Sequence, residues 1–377
     1  MSDLVRILER LVAIDSVNPA LVPGGAGEGE IADFIAGWGR DAGLEVEIVE
    51  TVPGRPSVVA TAKGSGGGRS LMLNAHTDTV GVAGMNVPFE PRIDGNRLHG
   101  RGSFDMKSGL AAAMIATAAA QKKGLRGDVI LTAVSDEEHA SIGTTSIAER
   151  WTADAAIITE PTDLTLSIAH KGFTWLELET HGTAAHGSRP DLGVDAIAKM
   201  GKILVELERL DENLRAGKPH RLLGTGSIHA SLISGGQELS SYPDLCRLDI
   251  ERRTIPNEDA AIVEKQIQSI ISRVSESDPS VRATLRTGLV REPYEIDEDA
   301  PIVTLLRKQA AAKLGSAPEI GGETGWMDSA ILGAAGIPTV IFGPAGDGAH
   351  AIEEWVDLES VETCANVLVA VLEEFCA

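Results

Sequence analysis

Aromatic residues make up only 3% of this 377-residue chain, and cysteine occurs three times. The first scarcity means a core of Ala, Val, Leu and Ile rather than rings. At 43% hydrophobic, the chain still has material for one. Cys246, Cys364 and Cys376 are odd in number and show no Cys-x-x-Cys spacing. That excludes a disulfide framework and a thiolate zinc site, and points to a reducing compartment. Positive charge is also short: 33 basic residues face 55 acidic ones, for a formal net charge of -22. Such an excess disfavours nucleic acid and anionic membranes as partners. Charge or Gly interrupts every apolar stretch, so no bilayer span is expected. Met1-Ser2-Asp3-Leu4-Val5-Arg6 lacks a secretory pattern, and a cytoplasmic protein is expected.

Three common chemistries are missing from the motifs. Gly64-Ser65-Gly66-Gly67-Gly68 lacks the third glycine of a dinucleotide fingerprint and opens no helix; it reads as a hairpin turn. Lys107-Ser108 resembles the end of a phosphate-binding loop, but Met106 stands where that loop needs Gly. A Gly-x-Ser-x-Gly elbow is broken because Phe104 and Asp105 follow Ser103.

The chain is rich instead in apolar runs that stop at His, Asp or Glu. Leu71–Val80 holds His76 and Asp78, two residues apart, so in a strand both side chains leave on one side. That suits a metal-ligating histidine with a carboxylate behind it. A polar turn after a buried strand would read the same way in isolation. Val129–Val134 runs into Ser135-Asp136-Glu137-Glu138, Ala155–Thr159 into Glu160, and Pro338–Phe342 into the loop that reaches His350. Asp105 sits just before an alanine-rich helix, Leu110–Gln121. Helical spacing also covers 2–14 and 28–43, and strands are expected at Leu44–Val49 and Ser57–Lys63. Continuous apolar strands alternating with helices predict an α/β domain with a mainly parallel, helix-covered sheet. Ligands of such sheets bind past the carboxyl ends of the strands, which is where these residues fall.

Between about Phe173 and Leu289 the texture changes. Strand patterns at Thr174–Thr180, Gly226–Ser234 and Cys246–Arg252 alternate with helical patterns at Asp195–Leu210 and Glu258–Glu276. The order predicts an inserted, ferredoxin-like α+β domain of about a hundred residues. The expected division is 1–172 and 290–377 for a catalytic domain and 173–289 for the insert.

His76, Asp105, Glu138, Glu160 and His350 form a nitrogen and oxygen donor set suited to zinc, with manganese or cobalt as alternatives. Five ligands exceed the three of a usual single catalytic zinc. One carboxylate shared between two ions would give each ion three. Adjacent Glu137 and Glu138 repel unless their roles differ: one ligates, while the other stays free as a general base. An exposed acidic turn is the ordinary alternative.

In order along the chain stand Leu-Asn-Ala-His76-Thr-Asp78, Gly-Arg-Gly-Ser-Phe-Asp105-Met-Lys-Ser-Gly, Ser-Asp-Glu137-Glu138, Thr-Glu160-Pro and Gly-Ala-His350. Together they resemble the di-zinc amidohydrolase and metallopeptidase family of acetylornithine deacetylase, succinyl-diaminopimelate desuccinylase, aminoacylase and glutamate carboxypeptidase. The resemblance covers nearly the whole chain. It implies a zinc-exopeptidase-like catalytic domain and two divalent metal ions. It makes Asp105 the bridge, with His76 and Glu160 on one ion and Glu138 and His350 on the other. It further implies Asp78 orienting His76, Glu137 as base, and a cis peptide bond after Asp105.

The insert carries further likenesses. Gly182-Thr183-Ala184-Ala185-His186-Gly187-Ser188-Arg189-Pro190 resembles the family's lid motif, whose histidine stabilises the oxyanion, often across a dimer interface. Such a donor contributes roughly 2.7–4 kcal/mol in the transition state. Arg253-Thr254-Ile255-Pro256 resembles a segment whose arginine binds the substrate carboxylate; Arg252 beside it leaves two choices. Trp326 is either a pocket wall or a packed loop residue. Ser240 and Ser241 stand where relatives carry an asparagine. The resemblance therefore implies amide hydrolysis of an N-acyl amino acid, first by acetylornithine deacetylase-like chemistry, in a homodimer formed through the lid. A dipeptidase or carboxypeptidase on the same scaffold, or a catalytically silent amino-acid- or peptide-binding protein, are the alternatives.

Overall fold

The computed structural model describes residues 2–377, which form two compact units. One comprises the chain up to Ile168, Ile296–Gly321 and Met327–Ala377; the other comprises Ala169–Glu295 and Gly322–Trp326. The second unit thus spans more than residues 173–289.

The first unit is built on a mainly parallel central sheet. Its middle strands, Val129–Val134, Leu71–His76, Ala155–Ile158 and Thr339–Ile341, run parallel in that spatial order. They are buried at every position, as a sheet covered on both faces requires. Met72, Ile130 and Ile158 share one cluster with Ile147 and Leu332 from the helices Ile142–Ala148 and Ser329–Ala334. The alanine-rich helix Lys107–Lys123 packs on the sheet and on the C-terminal helix Leu358–Phe375. Its many small side chains permit close approach. The largest fully buried side chains are chiefly Leu, Ile and Met, as the scarcity of aromatics requires.

Antiparallel strands occupy the sheet's margins. Glu45–Val49 pairs with Ser57–Ala62, which pairs antiparallel with Val129–Val134. This corrects the hairpin expected at Gly64–Gly68. Ser57–Ala62 and Leu71–His76 are not neighbours; Val129–Val134 lies between them. The glycine run is a crossover loop laid against the backbone, with Ser65 N donating to Leu125 O at 2.9 Å and Gly66 N to Arg126 O at 2.8 Å. A Cβ on Gly64 would lie 2.3 Å from Arg126 O, so this close backbone approach is what needs the glycine.

The second unit has the order strand, helix, strand, strand, helix, strand. Its antiparallel sheet runs Ser227–Gly235, Leu245–Thr254, Gly172–His181, Arg282–Arg291. Gly172–His181 alternates between buried and more accessible positions, the sign of a sheet with one face covered. The helices Ala196–Ala216 and Ala260–Ser277 cover it through Met200, Ile203, Ile267 and Ile270 against Leu176, Leu178, Leu248 and Ile250. Asp195 and Asp259 cap those helices, accepting from Ala198 N at 2.9 Å and Ile262 N at 2.8 Å. Among the described residues, no helix is long and apolar enough to cross a membrane.

Candidate metal centre

Parallel register gathers the donors. His76 pairs with Val134, and Asn74 with Ile158, so Glu160, two residues past its strand, comes to the level of His76. His76, the Ser135–Glu138 turn and Glu160 leave the sheet together. Asp105 precedes the helix Lys107–Lys123, and Gly109 lets that helix press against the neighbouring strand end. A Cβ there would fall 1.8 Å from Thr159 O. His350 arrives by another route. It lies between Gly346–Asp347 and Trp355–Asp357, which pair as a hairpin; Trp355–Asp357 pairs in turn with Arg97–His99, just before the Asp105 loop.

Asp105 stands between the two histidines. Its Oδ1 lies 3.1 Å from His76 Nε2 and its Oδ2 3.3 Å from His350 Nε2. His76 Nε2 also lies 3.5 Å from Glu160 Oε1, and His350 Nε2 3.1 Å from Glu138 Oε2. Donor atoms of His76, Glu137 and Glu160 fall within 4.8 Å of one another, as do those of His76, Asp105 and Glu138. The Asp105–Met106 bond is cis. Asp78 departs in detail from its expected role. Its backbone carbonyl lies 3.0 Å from His76 Nδ1, while its carboxylate is 3.6 Å away. The carboxylate instead accepts from Glu137 N at 3.1 Å and Glu138 N at 3.2 Å.

So much like charge in so little space shifts the proton affinities. Burial pushes Glu137 well above the usual carboxylate range; His76 opposes this, and Glu160 and Asp328 reinforce it. Burial does the same to Glu160 and, with help from Asp105, raises Glu138. Burial lifts Asp328 to about 6. Asp105 is also buried, yet its hydrogen bonds with His350 and His76 outweigh that and hold it below its ordinary value. His350 is raised to about 10 by its bonds to Asp105 and Glu138. Burial opposes protonation of His76, but Glu160 and Asp105 carry it well above its ordinary value.

Supporting residues that sequence spacing did not reveal hold these loops. Glu354 Oε1 accepts from Phe104 N at 2.9 Å and Asp105 N at 3.0 Å; its Oε2 accepts from Gly102 N at 2.9 Å and Arg101 Nη1 at 2.6 Å. Arg101 Nη2 donates to Ala351 O at 2.9 Å, tying the His350 loop to the Asp105 loop. Behind Glu137, Arg55 pairs with Glu28 at 2.6 Å and Asp136 at 2.8 Å. Asp328 is buried and accepts from Thr144 Oγ1.

The remaining predicted residues lie in the second unit. His186 is exposed, with Nδ1 2.8 Å from Ser188 Oγ. Its segment bridges to Ser241, and Gly187 N donates to Ser240 O at 2.6 Å, so the two segments are neighbours. Arg252 is fully buried and donates to Glu258 at 2.8 Å. Arg253 is partly exposed, with Nε 2.7 Å from Glu251 Oε1 and its guanidinium over Phe173. Trp326 donates from Nε1 to Glu292 O at 3.1 Å and sits under Arg291.

The donor set fits divalent cations. It offers imidazole nitrogen and carboxylate oxygen, and burial raises the proton affinity of Glu137 and Glu160 where a cation would offset it. These donors stand at the carboxyl edge of the mainly parallel sheet, where ligands of α/β folds bind. The chain belongs to peptidase family M20/M25/M40, whose model matches residues 72–374. It is 28% identical over 409 residues to N-formyl-4-amino-5-aminomethyl-2-methylpyrimidine deformylase of Bacillus subtilis (strain 168), covering 100% of this chain and 95% of that protein. It is 30% identical over 391 residues to acetylornithine deacetylase of Myxococcus xanthus, covering 98% and 96%. Its fold matches a dinuclear metal-binding M20 peptidase from Bacillus subtilis with a TM-score of 0.76 at 16% identity, covering 99% of this chain and 98% of the other. The protein is thus an M20-family hydrolase acting on amide bonds.

Proposed function

We propose that the protein removes the acyl group from an N-acyl amino acid, in the manner of acetylornithine deacetylase. The likeness to acetylornithine deacetylase supports the substrate class, and one observation carries the two-metal chemistry: the Asp105 carboxylate presents one oxygen toward His76 and the other toward His350. A carboxylate so placed could be shared by two ions. His76 and Glu160 would complete one site, Glu138 and His350 the other. Two divalent cations, zinc first with cobalt or manganese as alternatives, would supply Lewis acidity at the scissile carbonyl and lower the pKa of a water between them.

The chain's own groups do the rest. Glu137 accepts the proton of the attacking water on a carboxylate oxygen and passes it to the leaving amine nitrogen. Burial beside Glu160 and Asp328 raises its proton affinity, which suits a group that must take a proton and give it back. Asp78 holds the backbone of Glu137 and Glu138. His186 would serve as oxyanion donor and Arg253 as carboxylate anchor. Arg253 is favoured over Arg252, whose guanidinium is buried on Glu258. Residues 1–172 and 290–377 act as the catalytic domain and 173–289 as a lid.

We also propose a cytoplasmic homodimer through that lid. Ser227–Gly235 is an edge strand, paired on one side only, that exposes Leu232 and Ile233. An edge of this kind invites pairing with a second copy.

A panel of N-acyl amino acids and dipeptides, offered to protein reconstituted with zinc, cobalt or manganese, tests the reading. Amine release from acyl amino acids is expected. Turnover of dipeptides alone would establish the peptidase alternative instead. Sedimentation at micromolar concentration should find a dimer; an active monomer would refute the lid interface.

A further inference from the structure

Asn18 lies in the Pro/Gly-rich loop after the first helix, Asp3–Val12, and nothing in the proposed chemistry uses it. It is fully buried. Its Nδ2 donates to Asp78 Oδ2 at 2.7 Å and to Asp136 Oδ1 at 2.9 Å. Its Oδ1 accepts from Ala20 N at 2.9 Å, and its backbone N donates to Thr79 O at 2.9 Å. The Ala20 N–H sets the direction of the amide, because only the oxygen can accept. Both amide hydrogens must then face carboxylates.

Each carboxylate leads on toward the donor cluster. Asp78 holds the backbone N–H groups of Glu137 and Glu138. Asp136 is bonded directly to Glu137 and has a left-handed backbone, φ 67°, which an aspartate tolerates better than most residues. Arg55 Nη2 donates to Asp136 Oδ1 at 2.8 Å, and Asp136 N donates to Glu28 Oε1 at 3.2 Å. Without a donor shared between them, Asp78 and Asp136 would be two buried acceptors of like charge. A cation in that place would compete for the charge on Asp78; a neutral amide joins the two without doing so.

We infer that Asn18 is a positioning residue: a neutral, two-pronged donor that locks Asp78 to Asp136 and so sets where Glu137 and Glu138 stand relative to His76. The inference rests on the metal-hydrolase reading given above.

Asn18→Asp is the sharpest test. It keeps the shape and the oxygen that accepts from Ala20, and it replaces both donors with an acceptor. The metal-loaded variant should lose roughly 10–100-fold in kcat, with KM held within about threefold. Competition with a chromophoric chelator should find the weaker ion bound roughly 10–100-fold less tightly than in the wild type. Asn18→Ala adds no charge and should move both readouts in the same direction, which covers the case of an Asn18→Asp that does not fold. A lowered melting temperature with kcat and chelator competition at wild-type values would make Asn18 a merely structural residue and overturn the inference. A wild type that binds metal but hydrolyses no amide would sink the hydrolase reading alone; the chelator comparison would still decide the role of Asn18.

Discussion

His76 and His350 flank one carboxylate in different surroundings. The His76 side chain is 1% exposed and ends a strand inside the parallel sheet; that of His350 is 55% exposed, on a hairpin loop with φ 61°. His76 is held by sheet register, whereas His350 is held by Glu354 and Arg101, which tie its loop to the loop of Asp105. The contrast teaches that the two halves of one centre are built by different means. The inner half is part of the core. The outer half is a clip fastened onto it. On the reading proposed here, the two ions should behave unequally.

The largest expected effect is metal removal. A strong chelator should abolish turnover, and zinc, cobalt or manganese should restore it. Release should be biphasic, with the outer ion leaving first; simultaneous loss would erase the distinction between the halves. Next in size is Glu137→Gln. It should cost roughly 10²–10⁴-fold in kcat while metal content, measured by elemental analysis, stays at the wild-type level. Metal loss in that variant would make Glu137 a ligand rather than a base.

A pair of substitutions then sharpens the contrast. His350→Ala should retain one ion per chain. His76→Ala should retain neither, because it removes the inner ion's buried donor and also the ring that holds Asp105, the carboxylate both ions would share. Equal stoichiometry in the two variants would count against an inner and an outer half.

The smallest effect is on the pH dependence of the metal-free protein. His350, at about 10, and His76 are raised by folding, so their stabilisation is complete below 6.5 and fades as pH rises through the folded values. The raised carboxyls of Glu137 and Glu160 act in the same direction, because the folded state keeps their protons longer than the unfolded chain does. The chelated protein should therefore melt at progressively lower temperature from pH 6.5 toward 10. Metal addition at pH 7 should release protons into unbuffered solution, since the ligands must first be deprotonated. A flat melting profile would mean the two imidazoles carry no extra proton.

The residues that the fold brings together as candidate donors stand in recognisable short segments of the chain. His76, Glu138 and Glu160 follow apolar runs, and an apolar run that stops at a donor marks both a strand and its end. Asp105 announced itself by the alanine-rich helix behind it. The insert was equally readable, because a sheet covered on one face writes alternation into its strands. Tertiary structure decided everything that depends on which elements are neighbours. Gly64–Gly68 had the composition of a hairpin, yet sheet order made it a crossover. Asp78 had the spacing of a histidine partner, and it lies beside His76, yet that its carboxylate also accepts from Glu137 N and Glu138 N was decided by packing. Asn18, Arg101, Asp328 and Glu354 gave almost no local sign, since a hydrogen bond across 60 or 250 residues leaves no period in a sequence. Donor type and burial pattern are properties of short segments, and the chain determined them alone. Distances between segments are properties of packing, and only the folded molecule could supply them.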